Sequence, residues 1–253
     1  SGHDILTADA DVNRIRGNAG DDDIDAGAGI DDVDGGAGND DLFVRGTEAE
    51  FDVMHGGPGG VEDPTDFDRL LNVGASPVTL NGFNSLFDAF ANSIDLYNGN
   101  GFALLGNTAA NQLHLGFTEV QNTPAVASGD LNDDVTTSFD NDVATEAAPG
   151  YVTYDGGNGV DRVTLVLTPD QFGALTTAEL LVVQDYVVAP TGKTLTVTED
   201  NAKGNFRATN FESARVAVYD DDIVLDITSC FLAIVSEDQV VVGGAGNDTL
   251  NGT

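Results

Sequence analysis

Residues 17–43 divide into three consecutive nine-residue units, GNAGDDDID, AGAGIDDVD and GGAGNDDLF. Their columns agree. The fourth place is Gly20, Gly29 and Gly38, the sixth is Asp22, Asp31 and Asp40, and the eighth is Ile24, Val33 and Leu42. A period of this kind restricts the possible folds more than any other feature of the chain. A Gly-rich run can turn tightly, because glycine takes positive φ without a Cβ clash. The three residues that follow suit an extended segment, in which alternate side chains face opposite ways. The aliphatic residue in the middle then points inward and its neighbours outward. Two units close one turn of a flattened solenoid, and successive turns pair as parallel strands about 4.8 Å apart. Ile24, Val33 and Leu42 are expected to form a thin core.

The turns carry the chemistry. A curled backbone presents several carbonyl oxygens on its inner side, and the sixth-place aspartate adds a carboxylate beside them. Alternate units stack on the same edge, so Asp4 is expected near Asp22 and Asp22 near Asp40, with Asn13 near Asp31 on the other edge. Such an all-oxygen shell suits Ca2+; Mg2+ dehydrates reluctantly and wants a smaller octahedral shell. The candidate ligands are Asp4, Asn13, Asp22, Asp31 and Asp40, with Gly17, Ala19, Asp21, Ala26, Ala28, Gly35, Ala37 and Asn39 in the turns. Asp161 and Asp248 are the candidates in later units. Stacked aspartates repel one another without a cation, so folding and metal binding are expected to be coupled.

These columns resemble the calcium-binding nonapeptide repeat GGxGxDxUx of the repeats-in-toxin (RTX, haemolysin-type) proteins. The resemblance implies a parallel β-roll, bound Ca2+, and a secreted, extracellular or cell-surface location reached through type I secretion. The unit ADADVNRIR departs from the pattern: Asn13 replaces the aspartate and every glycine is missing, so a weaker or differently shaped site is expected there. No C-terminal secretion signal is evident in the sequence, which is consistent with a fragment of something longer. A flexible acidic linker is the plain alternative, but a linker does not place an aliphatic residue at every ninth position. An EF-hand, suggested by Asp21, Asp23 and Asp25, requires a glycine where Ala26 stands.

Charge narrows the partners. The chain has 253 residues, with 43 Asp+Glu against 9 Lys+Arg and a net charge of −34. Nucleic acid is excluded as a partner, since phosphate contacts need a cationic surface. Anionic membrane surfaces are disfavoured for the same reason, and no apolar run is long enough for membrane insertion. Self-repulsion on this scale calls for cations or salt, which fits a calcium-rich or saline exterior. The single cysteine, Cys230, lies in the apolar run SCFLAIV and reads as a small buried hydrophobe.

The pattern extends in both directions. SGHDILT (1–7) fills places three to nine of a unit, with Gly2, Asp4 and Leu6 in their columns. Beyond Phe43 it fails. HGGPGG (55–60) restarts it, but an insertion precedes Asp68-Arg69-Leu70. GGNGVDRVT (156–164) is intact, and Asp161-Arg162-Val163 is expected to hold a position parallel to Asp68-Arg69-Leu70. SGDLNDDVT (128–136) and GNTAANQLH (106–114) are degraded; the second, with Asn111 for aspartate, is expected to keep the shape without the metal. SPVTLNGF, VTLVL, KTLTVTE and ARVAVY read as strands. Thr168-Pro169-Asp170-Gln171 forms a capping-box pattern, so one or two helices are expected over 169–189, with a strand as the alternative and a break at Gly173 or Thr176-Thr177. A second helix is expected at 84–91. The fold class is therefore mainly β: a parallel β-roll over 1–45, a connecting segment with a degenerate repeat over 46–75, and a larger irregular β region over 76–242 with one or two short helices.

At the end of the chain, GGAGNDTLN (243–251) restores the pattern, and Gly252-Thr253 fill places one and two. Joined to Ser1, they read GTSGHDILT, a unit in register. Head-to-tail self-association through 243–253 is the expectation, and a segment boundary that falls in register by chance is its alternative.

No HExxH or GxSxG pattern occurs, and His3, His55 and His114 are scattered, so no enzyme is expected. His3 stands at an outward turn place and is expected to meet solvent or a carbonyl. Three functional readings stand. One is a calcium-locked structural module of a secreted adhesin, surface-layer protein or filament. Another is the folding and secretion domain of an exported enzyme or toxin. A third is a β domain binding cell-surface or matrix glycans, although the sequence has no Trp and only 5 Tyr to stack on sugars.

Overall fold

The computed structural model describes residues 2–29, 31–45, 53–58, 66–79, 86–88, 93–106, 110–116, 118–121, 123–128, 131, 134–138, 152–167, 175–198, 205–218, 233–236 and 239–241. The protein is mainly β, and its strands are numbered in chain order. The first sheet takes β1 (Ile5–Thr7), β3 (Asp23–Asp25), β5 (Asp41–Val44), β7 (Arg69–Asn72), β10 (Leu96–Asn98) and β13 (Glu119–Gln121), all parallel. The second takes β2 (Arg14–Ala19), β4 (Asp32–Ala37) and β6 (Val53–His55), also parallel.

From β7 onward the chain visits two other sheets. One holds β8 (Val78–Thr79), β11 (Leu104–Leu105), β14 (Ala125–Ala127), β16 (Val152–Asp155) and β19 (Asn205–Thr209) in parallel, with β18 (Thr194–Thr198) antiparallel to β19 at its edge. The other holds β9 (Leu86–Asp88), β12 (Gln112–Gly116), β15 (Asp134–Ser138), β17 (Arg162–Leu167) and β20 (Ser213–Val218), all parallel. Two strands per circuit thus become three, through the sheets of β7, β8 and β9, before β10 returns to the first sheet. A separate antiparallel pair joins β21 (Ala233–Ser236) and β22 (Gln239–Val241).

Register follows the nine-residue period where the period is strict. Leu6 lies beside Ile24 and Ile24 beside Leu42; on the other sheet Ile15 lies beside Val33. Ile24, Val33 and Leu42 are buried, as the alternation requires. The same inward columns continue into less regular sequence: Leu42, Leu70, Tyr97 and Val120 on the first sheet, and Leu113, Val135 and Val163 on the sheet of β12. These residues belong to one hydrophobic core.

Several expectations meet different structure. The first sheet draws strands from 1–45, 46–75 and 76–242 alike, so it runs across both sequence-derived divisions. On the second sheet β2 and β4 are six residues long, not three, because Asn18 pairs with Gly36 and Ala19 with Ala37. Within 84–91, where a helix was expected, Leu86–Asp88 form β9, whose register is set by pairing with Gln112, Leu113 and His114. Asp68 and Asp161 each precede a strand, but the strands lie in different sheets.

One helix is found among the described residues, α1 (Thr177–Val188). Thr176 caps it: its hydroxyl accepts the Glu179 N–H, and the Glu179 carboxylate accepts the Thr176 N–H. The start therefore falls at the expected break of Thr176-Thr177; the sequence cap at 168–171 lies outside the described residues, as do Cys230 and 243–253. Val183 and Tyr186 are its buried residues. None of the described helices is long and apolar enough to cross a membrane.

Candidate metal centre

Each sixth-place aspartate stands immediately before a strand, at the point where the turn ends. There its carboxylate reaches across to the neighbouring circuit. Oδ1 of Asp22 accepts the Asp4 N–H at 2.7 Å, Oδ1 of Asp40 accepts the Asp22 N–H at 2.7 Å, and Oδ1 of Asp31 accepts the Asn13 N–H at 2.7 Å. The pairs expected from alternate units are thus brought together on both edges. The first column does not stop at residue 40. Asp68 Oδ1 accepts the Asp40 N–H at 2.8 Å, and Asp95 Oδ2 accepts the Asp68 N–H at 2.7 Å.

Asp68 and Asp95 were not among the sequence candidates, because residues 57–67 interrupt the nine-residue count before Asp68 and no strict unit contains Asp95. The available signal was local: each aspartate directly precedes a strand with an inward apolar second residue, Leu70 and Tyr97.

These carboxylates are buried. Asp22, Asp31, Asp40 and Asp68 are all at most 1% exposed. The second oxygen, Oδ2, of Asp22, Asp40 and Asp68 has no hydrogen-bond partner. Its surroundings repeat. A Cβ added to Gly17 would lie within 3 Å of both Asp22 Oδ2 and the Gly35 carbonyl oxygen. A Cβ added to Gly35 would lie within 3 Å of both Asp40 Oδ2 and the Gly56 carbonyl oxygen. Glycine is needed here because the carboxylate and the carbonyl approach its Cα too closely for a side chain.

The degraded turn at Asn111 supplies the contrast. A Cβ on Gly106 would meet the Ser128 carbonyl, and the Asn111 side chain 3.1 Å away. There the Asn111 Nδ2 donates to the Ser128 carbonyl at 2.7 Å. An amide N–H thus bridges a carbonyl that, at Asp22 and Asp40, lies beside an unpartnered carboxylate oxygen. Asn13 behaves similarly: its Nδ2 donates to the Asp11 carbonyl at 2.5 Å and to Asp9 Oδ1 at 3.2 Å, so its amide is engaged within its own turn.

Among the described residues the arginines paired with aspartate lie elsewhere. Arg14 and Arg16 pair with Asp32, Arg16 also with Asp34, Arg45 with Asp25, and Arg69 with Asp41. All of these aspartates flank inward residues on strands. Among the described residues no ion pair reaches Asp22, Asp40 or Asp68. Burial accordingly pushes the Asp40 carboxyl up to about 6, opposed by the Asp22 N–H and reinforced by Asp22, Asp21 and Asp66. Burial pushes Asp68 further, to about 8, with Asp66, Asp40 and Asp95 adding repulsion, and it raises Asp95 as well.

The other candidates divide. The Ala19 carbonyl accepts the Gly2 N–H at 3.0 Å and the Ala37 carbonyl accepts the Gly20 N–H at 2.8 Å, so each spends one lone pair on the stack. Asp21 Oδ1 accepts the Asn39 N–H at 3.0 Å, and the Asp21 carbonyl meets the His3 Nδ1. His3 is therefore carbonyl-contacting, and that hydrogen bond, with nearby aspartates, raises its pKa. Ala26 is in the core, and Ala28 is half-buried beside it in sequence. Asp161 is buried, and its N–H donates to Glu212 Oε2 at 2.9 Å; it stands in the column of Asn111 and Glu212, before the strands of the β12 sheet, not in that of Asp40. Asp248 lies outside the described residues.

Among the described residues no three His, Cys, Asp or Glu side chains converge on one point. A cation here would take one or two carboxylates and complete its shell with backbone carbonyls, which suits Ca2+. The buried unpartnered carboxylate oxygens, each close to a backbone carbonyl, are the chemistry such an ion would use.

No family model, no curated protein and no solved structure matches this chain. The resemblance to the RTX repeat therefore rests on the columns of the units themselves.

Proposed function

We propose that this chain is a secreted calcium-binding structural module, in which Ca2+ ions lock a β-roll built from the nine-residue units of residues 2–45. One observation carries the reading: at Asp22 and Asp40 a buried carboxylate oxygen faces a carbonyl oxygen of the neighbouring circuit with no donor between them, whereas at Asn111 an amide donor bridges the equivalent gap. A buried unpaired carboxylate is costly, and either a proton or a cation must relieve it. A hard divalent ion does so and joins two circuits at once. Asp22 and Asp40, with the carbonyls of Gly35 and Gly56, would hold it; the ion supplies positive charge and nothing else.

The role that follows is mechanical. A stack with thin apolar columns and a −34 chain charge gains its rigidity from ions available outside the cell. An adhesin, surface layer or filament is the setting that uses such a device directly, with head-to-tail copies as its partners. An appendage to an exported enzyme or toxin would use it for folding after secretion.

The experiment is calcium titration of the full chain by calorimetry, with far-ultraviolet circular dichroism in calcium and in chelator. Binding accompanied by a gain of β signal is expected. Identical spectra in the two conditions, with no heat of binding, would refute the proposal.

A further inference from the structure

The sheet that ends at β18 turns an unusual surface outward. Across its six strands Val78, Leu104, Val126, Tyr154, Ala208 and Leu195 lie in register and are buried. Their sequence neighbours therefore face the other way. One outward row reads Thr79, Leu105, Ala127, Asp155, Thr209 and Thr194. The next reads Ala125, Thr153, Arg207 and Thr196. The Thr194 and Thr209 hydroxyls bond to each other at 3.3 Å, as residues on one face can. Asp155 is the single acid of these two rows, in a chain with 43 Asp+Glu. On the first two sheets the outward rows hold Asp23, Asp25 and Asp41, and Asp32 and Asp34.

Arg207 supplies a second observation. It is exposed, and among the described residues it forms no ion pair. Arg14, Arg16, Arg45, Arg69 and Lys193 each hold an aspartate. With acids outnumbering bases by 43 to 9, an arginine left outside such pairs is unusual. Asp155 stands diagonally from it, since Asp155 pairs with Thr209 and Thr153 with Arg207. Its Oδ1 accepts the Gly157 N–H at 3.0 Å and the Asn210 Nδ2 at 2.8 Å, which fixes the carboxylate at the end of its strand.

We infer that this face is a lateral contact between two copies of the chain, with Arg207 of each copy set against Asp155 of the other. The face is self-complementary. A two-fold axis lying in the interface, midway between Asp155 and Arg207, brings each residue opposite its counterpart and forms both ion pairs at once. Threonine and alanine are short enough for two sheets to approach to about 10 Å. Charge selects the place. Two chains of −34 repel, but at physiological salt that repulsion is screened beyond about 8 Å, so a near-neutral face is where copies can touch. Six strands spaced about 4.8 Å apart give a strip about 24 Å across, small against the roughly 800 Å2 per partner of a standard interface, so the pairing is weak and reversible. It joins copies side by side, across the direction of head-to-tail stacking.

The test is sedimentation velocity of the full chain, in calcium and at physiological ionic strength, over a range of concentrations. Three proteins are compared: the unaltered chain, Arg207→Asp, and Arg207→Asp combined with Asp155→Arg, each checked for fold by circular dichroism. The unaltered chain is expected to associate reversibly. Arg207→Asp is expected to associate about tenfold more weakly, because two attractive pairs become two repulsions, and the double variant to recover. An unaltered chain that stays monomeric, or association that Arg207→Asp leaves unchanged, would overturn the inference. A folded double variant without recovery would do the same; if the double variant does not fold, Arg207→Asp decides alone. Binding of polygalacturonate to a monomeric chain, lost in Arg207→Asp, would overturn it in favour of an acidic glycan on this face. Neither residue is a proposed calcium ligand, so the proposed function stands or falls separately.

Discussion

Asp40 accepts the backbone N–H of Asp22 through one carboxylate oxygen at 2.7 Å, while its other oxygen is buried without a partner. One residue thus ties two circuits together and, at the same atom group, creates a demand for positive charge. The same division of labour between the two oxygens occurs at Asp22 and Asp68. The expected consequences of that arrangement can each be measured.

Asp22→Ala is expected to weaken both stability and calcium affinity more than Asn13→Ala. It strips the acceptor from the Asp4 N–H and removes a buried ligand, for which about 1–3 kcal/mol is a reasonable cost before any loss of metal. Asn13→Ala loses hydrogen bonds to Asp11 and Asp9 at an exposed turn. Urea unfolding in excess calcium, run on the two variants side by side, checks the order; equal midpoints would count against the stacking.

Gly35→Ala is expected to lower calcium affinity sharply, because its Cβ would clash with Asp40 Oδ2 and the Gly56 carbonyl and push these oxygens apart. Gly2→Ala is the control, since a Cβ there meets nothing within 4 Å. Calorimetric titration of both variants should separate them. A Gly35→Ala variant with unaltered affinity would show that Asp40 and the Gly56 carbonyl hold no ion.

Without calcium, stability is expected to fall as pH rises. Asp40 and Asp68 have folded-state values pushed up to about 6 and about 8 from 3.8, so the folded state holds protons that the unfolded state has released. Their contribution is complete below about pH 4 and is lost progressively as pH passes through the folded values. Asp25 works in the opposite direction: Arg45 depresses its pKa, and that contribution disappears only in stronger acid. Thermal melts in chelator between pH 4 and pH 8 measure the slope. A melting temperature that climbs across this range would contradict the burial of unpaired carboxylates. With calcium present the trend is expected to flatten or reverse, because the ion binds the deprotonated carboxylates.

Chelation is expected to expose the amides of residues 2–45 to hydrogen exchange before those of β12, β15 and β17. The first circuits have short apolar columns, whereas Leu113, Val135, Val163 and Leu165 are all fully buried in the later ones. Exchange followed by mass spectrometry resolves the two regions. Simultaneous loss of protection would mean that the whole stack unfolds as one unit.

Thr176→Ala is expected to cost about 1 kcal/mol through loss of the α1 cap, with calcium binding unaffected. Parallel measurement of melting temperature and calcium affinity checks both halves. A shift in affinity would tie the helix to the metal column.

The sequence by itself determined the local geometry of the first forty-five residues. Glycine spacing, the sixth-place aspartates and the eighth-place aliphatics jointly specify turn, carboxylate and inward side chain, and Asp4, Asp22 and Asp40 stack as their spacing requires. In the degraded unit the Asn111 side chain donates to the Ser128 carbonyl, a bond that the substitution of asparagine for aspartate makes possible. Only the tertiary structure decided the rest. Whether 86–88 becomes helix or strand depends on a partner far along the chain, in this case Gln112–His114. Whether Asp68 joins the column depends on β5 pairing with β7 across an intervening insertion, and the sheets of β8 and β9 appear only because each strand finds a neighbour from another circuit. A period can be read where every circuit has the same length. Once lengths vary, strand pairing sets the register, and such pairing is a long-range contact that no local run of residues encodes.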